Sequence, residues 1–122
     1  NAFISAENSL RQCYVMIDTE GAFAQAAQIA RLDCVDGLFV GPADLSLARG
    51  RGVFAARPED IADMREIATV AAAAGKAWAV AAGNALYRKA ALALAPAFAT
   101  SADDLSALLV GFSQMWKQHD PA

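Results

Sequence analysis

The chain has 122 residues, of which 57% are apolar, and a formal charge of −3 at pH 7. A chain of this length forms one domain around one hydrophobic core. Its 10 basic residues lie scattered between apolar segments, which argues against nucleic acid and anionic membrane surfaces as partners. The longest apolar stretches are interrupted by Gly or Lys well short of the roughly 20 residues that a membrane span requires.

The cysteines and the hydropathy bear on the compartment and on the surface of the chain. Cys13 and Cys34 lie inside or beside apolar runs without CxxC spacing, so we expect buried, reduced thiols and a cytoplasmic protein. The mean hydropathy of +0.30 is high for a small domain, whose surface needs many polar residues. Because the chain also begins with Asn1 rather than Met, we expect it to be part of a larger unit that covers its apolar surface.

The first half of the chain reads as two strands with a helix between them. The apolar run CYVMI spans residues 13–17, and the segment AFAQAAQIARL at 22–32 has apolar residues at helical spacing. The second strand, DGLFV, spans 36–40 and leads to Gly41. We expect residues 47–57, LARGRGVFAAR, to form a polar loop.

The second half repeats the alternation of helix and strand. Pro58 is predicted to open a long helix, and Gly75 is predicted to end it in a left-handed conformation. The segments KAWAVA (76–81) and AFAT (97–100) are the third and fourth strands, with a helix between them. Ser101 is predicted to cap a final helix. The apolar face of that final helix comprises Leu105, Leu108, Leu109, Phe112 and Trp116.

This alternation predicts an α/β fold. Strands that are apolar on both faces, each followed by a helix, are typical of a parallel sheet covered by helices. Four βα units are also half of a TIM (β/α)8 barrel, which has about 250 residues. The pattern leaves two architectures open for residues 1–122 as a single domain: a complete doubly wound sheet, or a half-barrel whose other half lies elsewhere.

Two carboxylates follow neighbouring predicted strands. Asp18 ends the first strand and Asp44 follows the second, and in α/β folds the carboxyl ends of the strands are where ligands bind. Adjacent parallel strands lie about 4.8 Å apart, so two such carboxylates can reach one Mg²⁺ or Mn²⁺ ion. Asp is also a favoured helix N-cap. The spacing alone leaves both interpretations open.

The segments around these two residues resemble the HpcH/HpaI aldolase/citrate lyase family. The family pattern is an apolar strand ending in Ile-Glu-Thr, a helix, and then Val-Asp-Gly-hydrophobic-Phe-hydrophobic-Gly-Pro-Ala-Asp-Leu-Ser. Residues 35–46, VDGLFVGPADLS, match the second part at every position, whereas Asp18 stands where the first part has Glu. The resemblance extends more loosely over residues 6–113 and corresponds to the C-terminal half of the family's barrel.

The resemblance implies a metal-dependent aldolase that cleaves 4-hydroxy-2-oxo acids to pyruvate and an aldehyde. It implies a divalent ion, Mg²⁺ or Mn²⁺, at Asp18 and Asp44, chelated by the carboxylate and C2 carbonyl of the 2-oxo acid. The ion would stabilise the pyruvate enolate as a Lewis acid.

The same resemblance implies a set of substrate-binding residues. Gly41 and Pro42 would form a tight turn that lets the backbone near Ala43 approach the substrate carboxylate. Met16 stands where some relatives have a substrate-contacting Gln. A thioether is only a weak acceptor, so Met16 is expected to pack against the substrate.

The catalytic residues of the family are expected outside this chain. The family's catalytic His and substrate-binding Arg lie on early barrel strands, to which nothing here corresponds. His119 lies in the polar tail KQHDPA and matches neither position. Arg49 and Arg51, after the second strand, could contact an anionic substrate, but a solvated loop is the simpler interpretation.

Two other functions remain open from the sequence. A CoA-ester lyase of the citrate lyase β-subunit type shares the fold and the acidic metal site, but it would need a basic pocket for the CoA phosphates. A non-catalytic half-barrel would act as an interaction domain through its exposed sheet. In each case we expect a homo-oligomer or a complementing half-barrel, with Leu109, Phe112 and Trp116 of the final helix at subunit contacts.

Overall fold

The structure, a computed structural model, describes the backbone of residues 2–119 and the side chains of residues 2–117. In chain order its elements are α1 (Ala2–Leu10), β1 (Tyr14–Ile17), α2 (Glu20–Ala24), α3 (Ala26–Ile29), β2 (Gly37–Val40), α4 (Pro42–Ala48), α5 (Pro58–Ala73), β3 (Ala77–Ala81), α6 (Ala85–Leu92), β4 (Phe98–Thr100) and α7 (Asp104–His119). Each strand is followed by at least one helix, which confirms the α/β prediction. The prediction for the His119 side chain lies outside the described residues.

The strands form one parallel sheet in the order β1-β2-β3-β4. A doubly wound sheet reverses its strand order at a switch point, whereas a (β/α)8 barrel adds each strand beside the previous one. The sequential order therefore excludes the doubly wound alternative. The four βα units are half of those in a TIM barrel.

One face of the sheet packs against helices and forms the core. Residues paired in register share a face, so Ile17, Val40 and Val80 lie in one row, and all three are fully buried. On α5, Met64 and Ile67 belong to the same buried cluster. Burial of an aliphatic side chain of this size contributes about 1.5–3 kcal/mol, so this face supplies much of the stability of the chain.

The opposite face of the sheet is apolar but only partly covered. Met16 is 49% exposed and Phe98 is 43% exposed. The rings of Tyr14 and Phe98, from the first and last strands, meet with their centroids 5.1 Å apart. The Tyr14 ring lies over Gly37, where a Cβ atom would overlap it. Contact between side chains of the two outer strands indicates a concave face, as in the interior of a barrel.

The helices confirm some predictions and correct others. Pro58 opens α5, and Gly75 follows it with a φ of 66°, as predicted. The single helix predicted over 22–32 is wrong because Gln25 (φ −104°, ψ 8°) separates α2 from α3. Ser101 does not cap the final helix, because the Asp103 carboxylate accepts the Ser106 N–H at 2.7 Å.

The prediction of a solvated loop at Arg49 and Arg51 is wrong. The Arg51 side chain is 16% exposed, and its guanidinium donates to Asp60 Oδ1 at 2.7 Å and to Asp63 Oδ2. Cζ of Arg49 lies 4.4 Å from the centroid of the Phe23 ring, and its Nε lies 3.6 Å from Asp63 Oδ2. These contacts attach the loop between α4 and α5 to the first turns of α5.

The prediction of buried thiols is also wrong, since Cys13 and Cys34 are both free and exposed. Both lie at the amino-terminal edge of the sheet, where the chain enters the strands from the surface. There the Cys13 N–H donates to the Asp36 carboxylate at 2.7 Å. Over the residues that the structure covers, no helix combines the length and apolar character needed to cross a bilayer.

Replacing Arg51 with Met is expected to destabilise the fold. The substitution leaves Asp60 and Asp63 without their main cation, and loss of one partner from a buried pair costs about 3 kcal/mol. Urea denaturation measures this loss. The matched control, Arg11→Met, removes an exposed pair with Glu7 and is expected to cost less than about 1 kcal/mol. Equal losses in the two variants would contradict a structural role for the Arg51 pairs.

Candidate functional site

The pairing of β1 with β2 brings Asp18 next to Gly41. Ile17 pairs with Val40, so the residues that follow them leave the same edge of the sheet side by side. The Gly41 N–H donates to the Ile17 carbonyl at 3.2 Å, which continues the ladder by one step. This edge is the carboxyl-terminal one, where ligands bind in barrels and open α/β sheets.

Asp44 lies in the first turn of a helix rather than after a tight turn. Gly41 (φ −96°, ψ 85°) precedes the helix and Pro42 opens α4. The predicted tight turn at Gly41 and Pro42 is thus a helix start, because proline is favoured at the first helical position. Asp44, three residues after Gly41, is exposed.

Neither carboxylate serves as a helix N-cap. The N-cap of α2 is Thr19, whose hydroxyl accepts the Ala22 N–H at 3.1 Å, and the position before α4 is Gly41. Among residues 2–117, neither Asp18 nor Asp44 takes part in a side-chain hydrogen bond or ion pair. The capping interpretation is therefore wrong for both carboxylates.

A cavity of about 400 Å³ opens at this edge of the sheet. Every predicted substrate-binding residue lines it, and so does one of the two predicted metal ligands. The lining comprises Met16, Phe39, Gly41, Pro42, Ala43, Asp44, Phe54, Ala81, Gly83, Asn84 and Asp103. Asp18 is not part of the lining but lies against Gly41, where an added Cβ would be 3.1 Å from the Asp18 Cβ.

Six lining residues were not predicted as site residues: Phe39, Phe54, Ala81, Gly83, Asn84 and Asp103. Asn84 follows β3 and caps α6, with its Oδ1 accepting two backbone N–H groups at 2.9 and 3.1 Å. Asp103 caps α7, and hydrogen bonds from the backbone and then the hydroxyl of Ser106 lower the pKa of its carboxyl. Asn84 and Asp103 could have been suspected, because polar residues that follow a strand lie at this edge.

The charge of the cavity favours a cation. Asp44 and Asp103 line it, and none of the lining residues is basic. The charged side chains that an anionic substrate would meet in this lining are therefore all negative, and a cation would be needed to neutralise them. Arg49 and Arg51, considered above as substrate contacts, do not line the cavity.

The described residues suit an open metal site better than a closed one. Within residues 2–119, no group of three or more His, Cys, Asp or Glu side chains is arranged to hold an ion. Mg²⁺, however, usually keeps several waters and takes only one or two protein carboxylates. Asp44, exposed and without a hydrogen-bond partner in the described part of the chain, fits that kind of site.

Comparison with known proteins finds similar sequences among aldolases. A hydroxypyruvate/pyruvate aldolase of Rhizorhabdus wittichii is 32% identical over 102 residues, which are 82% of this chain and 41% of that protein. A 4-hydroxy-2-oxo-heptane-1,7-dioate aldolase of Klebsiella pneumoniae is 33% identical over 109 residues, 89% of this chain and 41% of that protein. A structure of an HpcH/HpaI aldolase/citrate lyase family protein from Burkholderia cenocepacia superposes with a TM-score of 0.80 at 24% identity, over 95% of this chain and 45% of that one. The chain is thus similar to two aldolases and shares the fold of an HpcH/HpaI aldolase/citrate lyase family protein.

The chain spans about two fifths of the length of the curated relatives that it matches. It likewise covers 45% of the solved Burkholderia structure, in agreement with its four βα units. No protein-family model matches the sequence. The half-barrel fold is thus shown, and the similarity to two aldolases agrees with the resemblance at residues 35–46.

Gly41→Ala tests the close contact that joins the two strand ends. A Cβ at this position would lie 3.1 Å from the Asp18 Cβ and 3.3 Å from the Met16 Sδ, while the negative φ adds no backbone strain. We expect overpacking to lower the free energy of unfolding by about 1–3 kcal/mol. The control is Gly21→Ala in α2, where a Cβ meets no atom within 4 Å and alanine should be neutral or stabilising. If both variants were as stable as the wild type, Asp18 and Gly41 would not be in contact.

Proposed function

We propose that this chain carries the metal-binding and substrate-binding part of an aldolase that cleaves 4-hydroxy-2-oxo acids to pyruvate and an aldehyde. The observation that carries the proposal is Asp44, a carboxylate without a protein partner among the described residues, on the wall of a cavity at the strand ends. The identity of 32% and 33% to two aldolases supports the reaction class. Residues 1–122 would then form one domain, the C-terminal half of an aldolase barrel.

The proposed metal ligands are Asp18 and Asp44. They follow paired strands, and Asp18 lies beside Gly41, which precedes Asp44 by three residues. A bound Mg²⁺ or Mn²⁺ ion would supply Lewis-acid stabilisation of the enolate of pyruvate. Two carboxylates leave the other coordination positions to water and to the 2-oxo acid.

The proposed substrate contacts come from the other lining residues. The backbone at Gly41, Pro42 and Ala43 forms part of the cavity wall, where the substrate carboxylate can approach without meeting a bulky side chain. Met16, also on the wall, is apolar and would pack against the carbon chain of the substrate. No His, Lys or Arg lines the cavity. We therefore propose that the catalytic His and the Arg come from other barrel strands, and that this chain alone turns over little substrate.

The alternatives have less support. A CoA-ester lyase needs basic residues for the CoA phosphates, and this cavity has none among its lining residues. The interaction-domain hypothesis is favoured by the exposed apolar side chains of α7, such as Phe112 (68%) and Trp116 (77%). The same side chains suit subunit contacts in an aldolase. A homo-oligomer or a complementing half-barrel therefore remains a prediction, and measurement of the molecular mass in solution tests it. Cytoplasmic location also remains a prediction.

Asp44→Asn is expected to abolish metal binding. A ligand that binds only the folded state raises its stability by about 2.7 kcal/mol at 100 times Kd, so Mn²⁺ should raise the Tm of the wild type. The amide keeps the shape of the side chain but removes the charge. The control is Asp33→Asn, which neutralises an exposed carboxylate at the opposite edge of the sheet and should retain the Mn²⁺ response. An equal response in both variants would refute the site, and no response in the wild type would favour the interaction domain.

Asp18→Glu is expected to tighten Mn²⁺ binding. The family pattern has Glu at this position, and the additional methylene gives the carboxylate a longer reach, whereas Asp18 lies beside Gly41 and outside the lining of the cavity. The dissociation constant for Mn²⁺, measured from the signal of free Mn²⁺ in electron paramagnetic resonance, should fall. A higher dissociation constant would mean that the surrounding residues are adapted to the shorter side chain.

A further inference from the structure

We propose that Phe54 determines which 2-oxo acids the site accepts, because its ring forms a fixed apolar wall of the cavity. The proposal rests on the proposed function and adds a limit on the size of the substrate. It concerns the group attached to the 2-oxo acid, not the metal or the bond that is cleaved.

Phe54 lies on the cavity although it belongs to a loop. It lines the same cavity as Asp44 and Met16 and is half-buried. Its ring packs edge to face against Tyr87 of α6, with the centroids 5.0 Å apart. Tyr87 is fully buried, so the surface on which Phe54 rests is part of the core.

The loop that carries Phe54 is held on both sides of the ring. Before it, Arg51 binds Asp60 and Asp63 on α5. After it, the Arg57 backbone N–H donates to Asp60 Oδ2 at 2.9 Å, and the Arg57 guanidinium donates to the Val53 carbonyl at 3.0 Å.

Two further features bear on the rigidity of this loop and its support. Ala56, in the same loop, has a φ of 52°, a conformation that alanine keeps only where its surroundings impose it. The Tyr87 hydroxyl is neutral at physiological pH, and burial, with the negative charges of Asp60 and Asp63, raises its pKa further. A ring restrained in this way cannot move aside at little cost for a larger ligand.

The remaining walls make Phe54 the residue that limits size. Ala81 and Gly83 leave space, the backbone of residues 41–43 forms another wall, and Phe54 and Phe39 are the two aromatic residues of the lining. Phe39 is part of the sheet, where it meets Phe98 with the ring centroids 5.9 Å apart. Phe54, in contrast, lies in the loop between α4 and α5. Its truncation should therefore enlarge the cavity without disturbing the sheet.

The test compares pyruvate with phenylpyruvate, a 2-oxo acid that carries a phenyl group. Dissociation constants with Mg²⁺ present are measured by ligand-observed NMR for the wild-type chain, Phe54→Ala and Phe54→Leu. Val53→Ala is the control, because Val53 is the neighbouring loop residue, is 81% exposed and does not line the cavity. Thermal unfolding of each variant establishes that it is folded, and Phe54→Leu carries the comparison if the alanine variant is not.

We expect the preference for pyruvate over phenylpyruvate to fall at least about tenfold in Phe54→Ala, less in Phe54→Leu, and not at all in Val53→Ala. If pyruvate binds, and its preference over phenylpyruvate is the same in the wild type and in Phe54→Ala, the role of Phe54 is overturned. The proposed function would still stand. Failure of both acids to bind any variant would contradict the proposed function, and the role of Phe54 with it.

Discussion

The candidate site depends on the parallel register of β1 on β2. Pairing of Ile17 with Val40 makes Asp18 and Gly41 leave the sheet side by side, and Pro42 then starts α4 at once, so that Asp44 is in its first turn. A shift of one residue would turn each side chain of the strand to the other face. It would bury Met16 and expose Ile17. The burial of one row of aliphatic side chains therefore also fixes the positions of the two carboxylates.

The two faces of the sheet differ in burial, and the candidate site lies away from the buried core. The helix-covered face contains the fully buried Ile17, Leu38 and Val80, whereas the concave face is apolar but half exposed. The cavity lies at the carboxyl-terminal edge, and its loop wall is held from outside the sheet by Arg51 on Asp60 and Asp63. Such a buried ion pair stabilises less than a well-packed apolar cluster would. Its effect here is to fix the position of the loop.

Hydrophobic periodicity was sufficient to predict the strands, α5 and the edge on which Asp18 and Asp44 lie, because these features follow from local pattern and parallel pairing. It could not predict the break at Gln25, which depends on how the chain meets the core. Nor could it assign Arg51: Asp60 and Asp63 resemble ordinary acidic residues of a first helical turn until the loop brings the guanidinium to them. Phe54 was missed for the same reason, since a loop aromatic has no periodicity.

The similar proteins are aldolases, but the mechanism proposed for this chain depends on one ion between two strand ends. Addition of substoichiometric Mn²⁺ to the ¹⁵N-labelled chain tests that claim directly, because the ion broadens the amide signals nearest to it. The account predicts that Asp18 and the residues from Gly41 to Asp44 broaden first, while Asp33 and Cys34 at the opposite edge stay sharp. Broadening that began at the opposite edge, or that spread evenly over the exposed carboxylates, would contradict it.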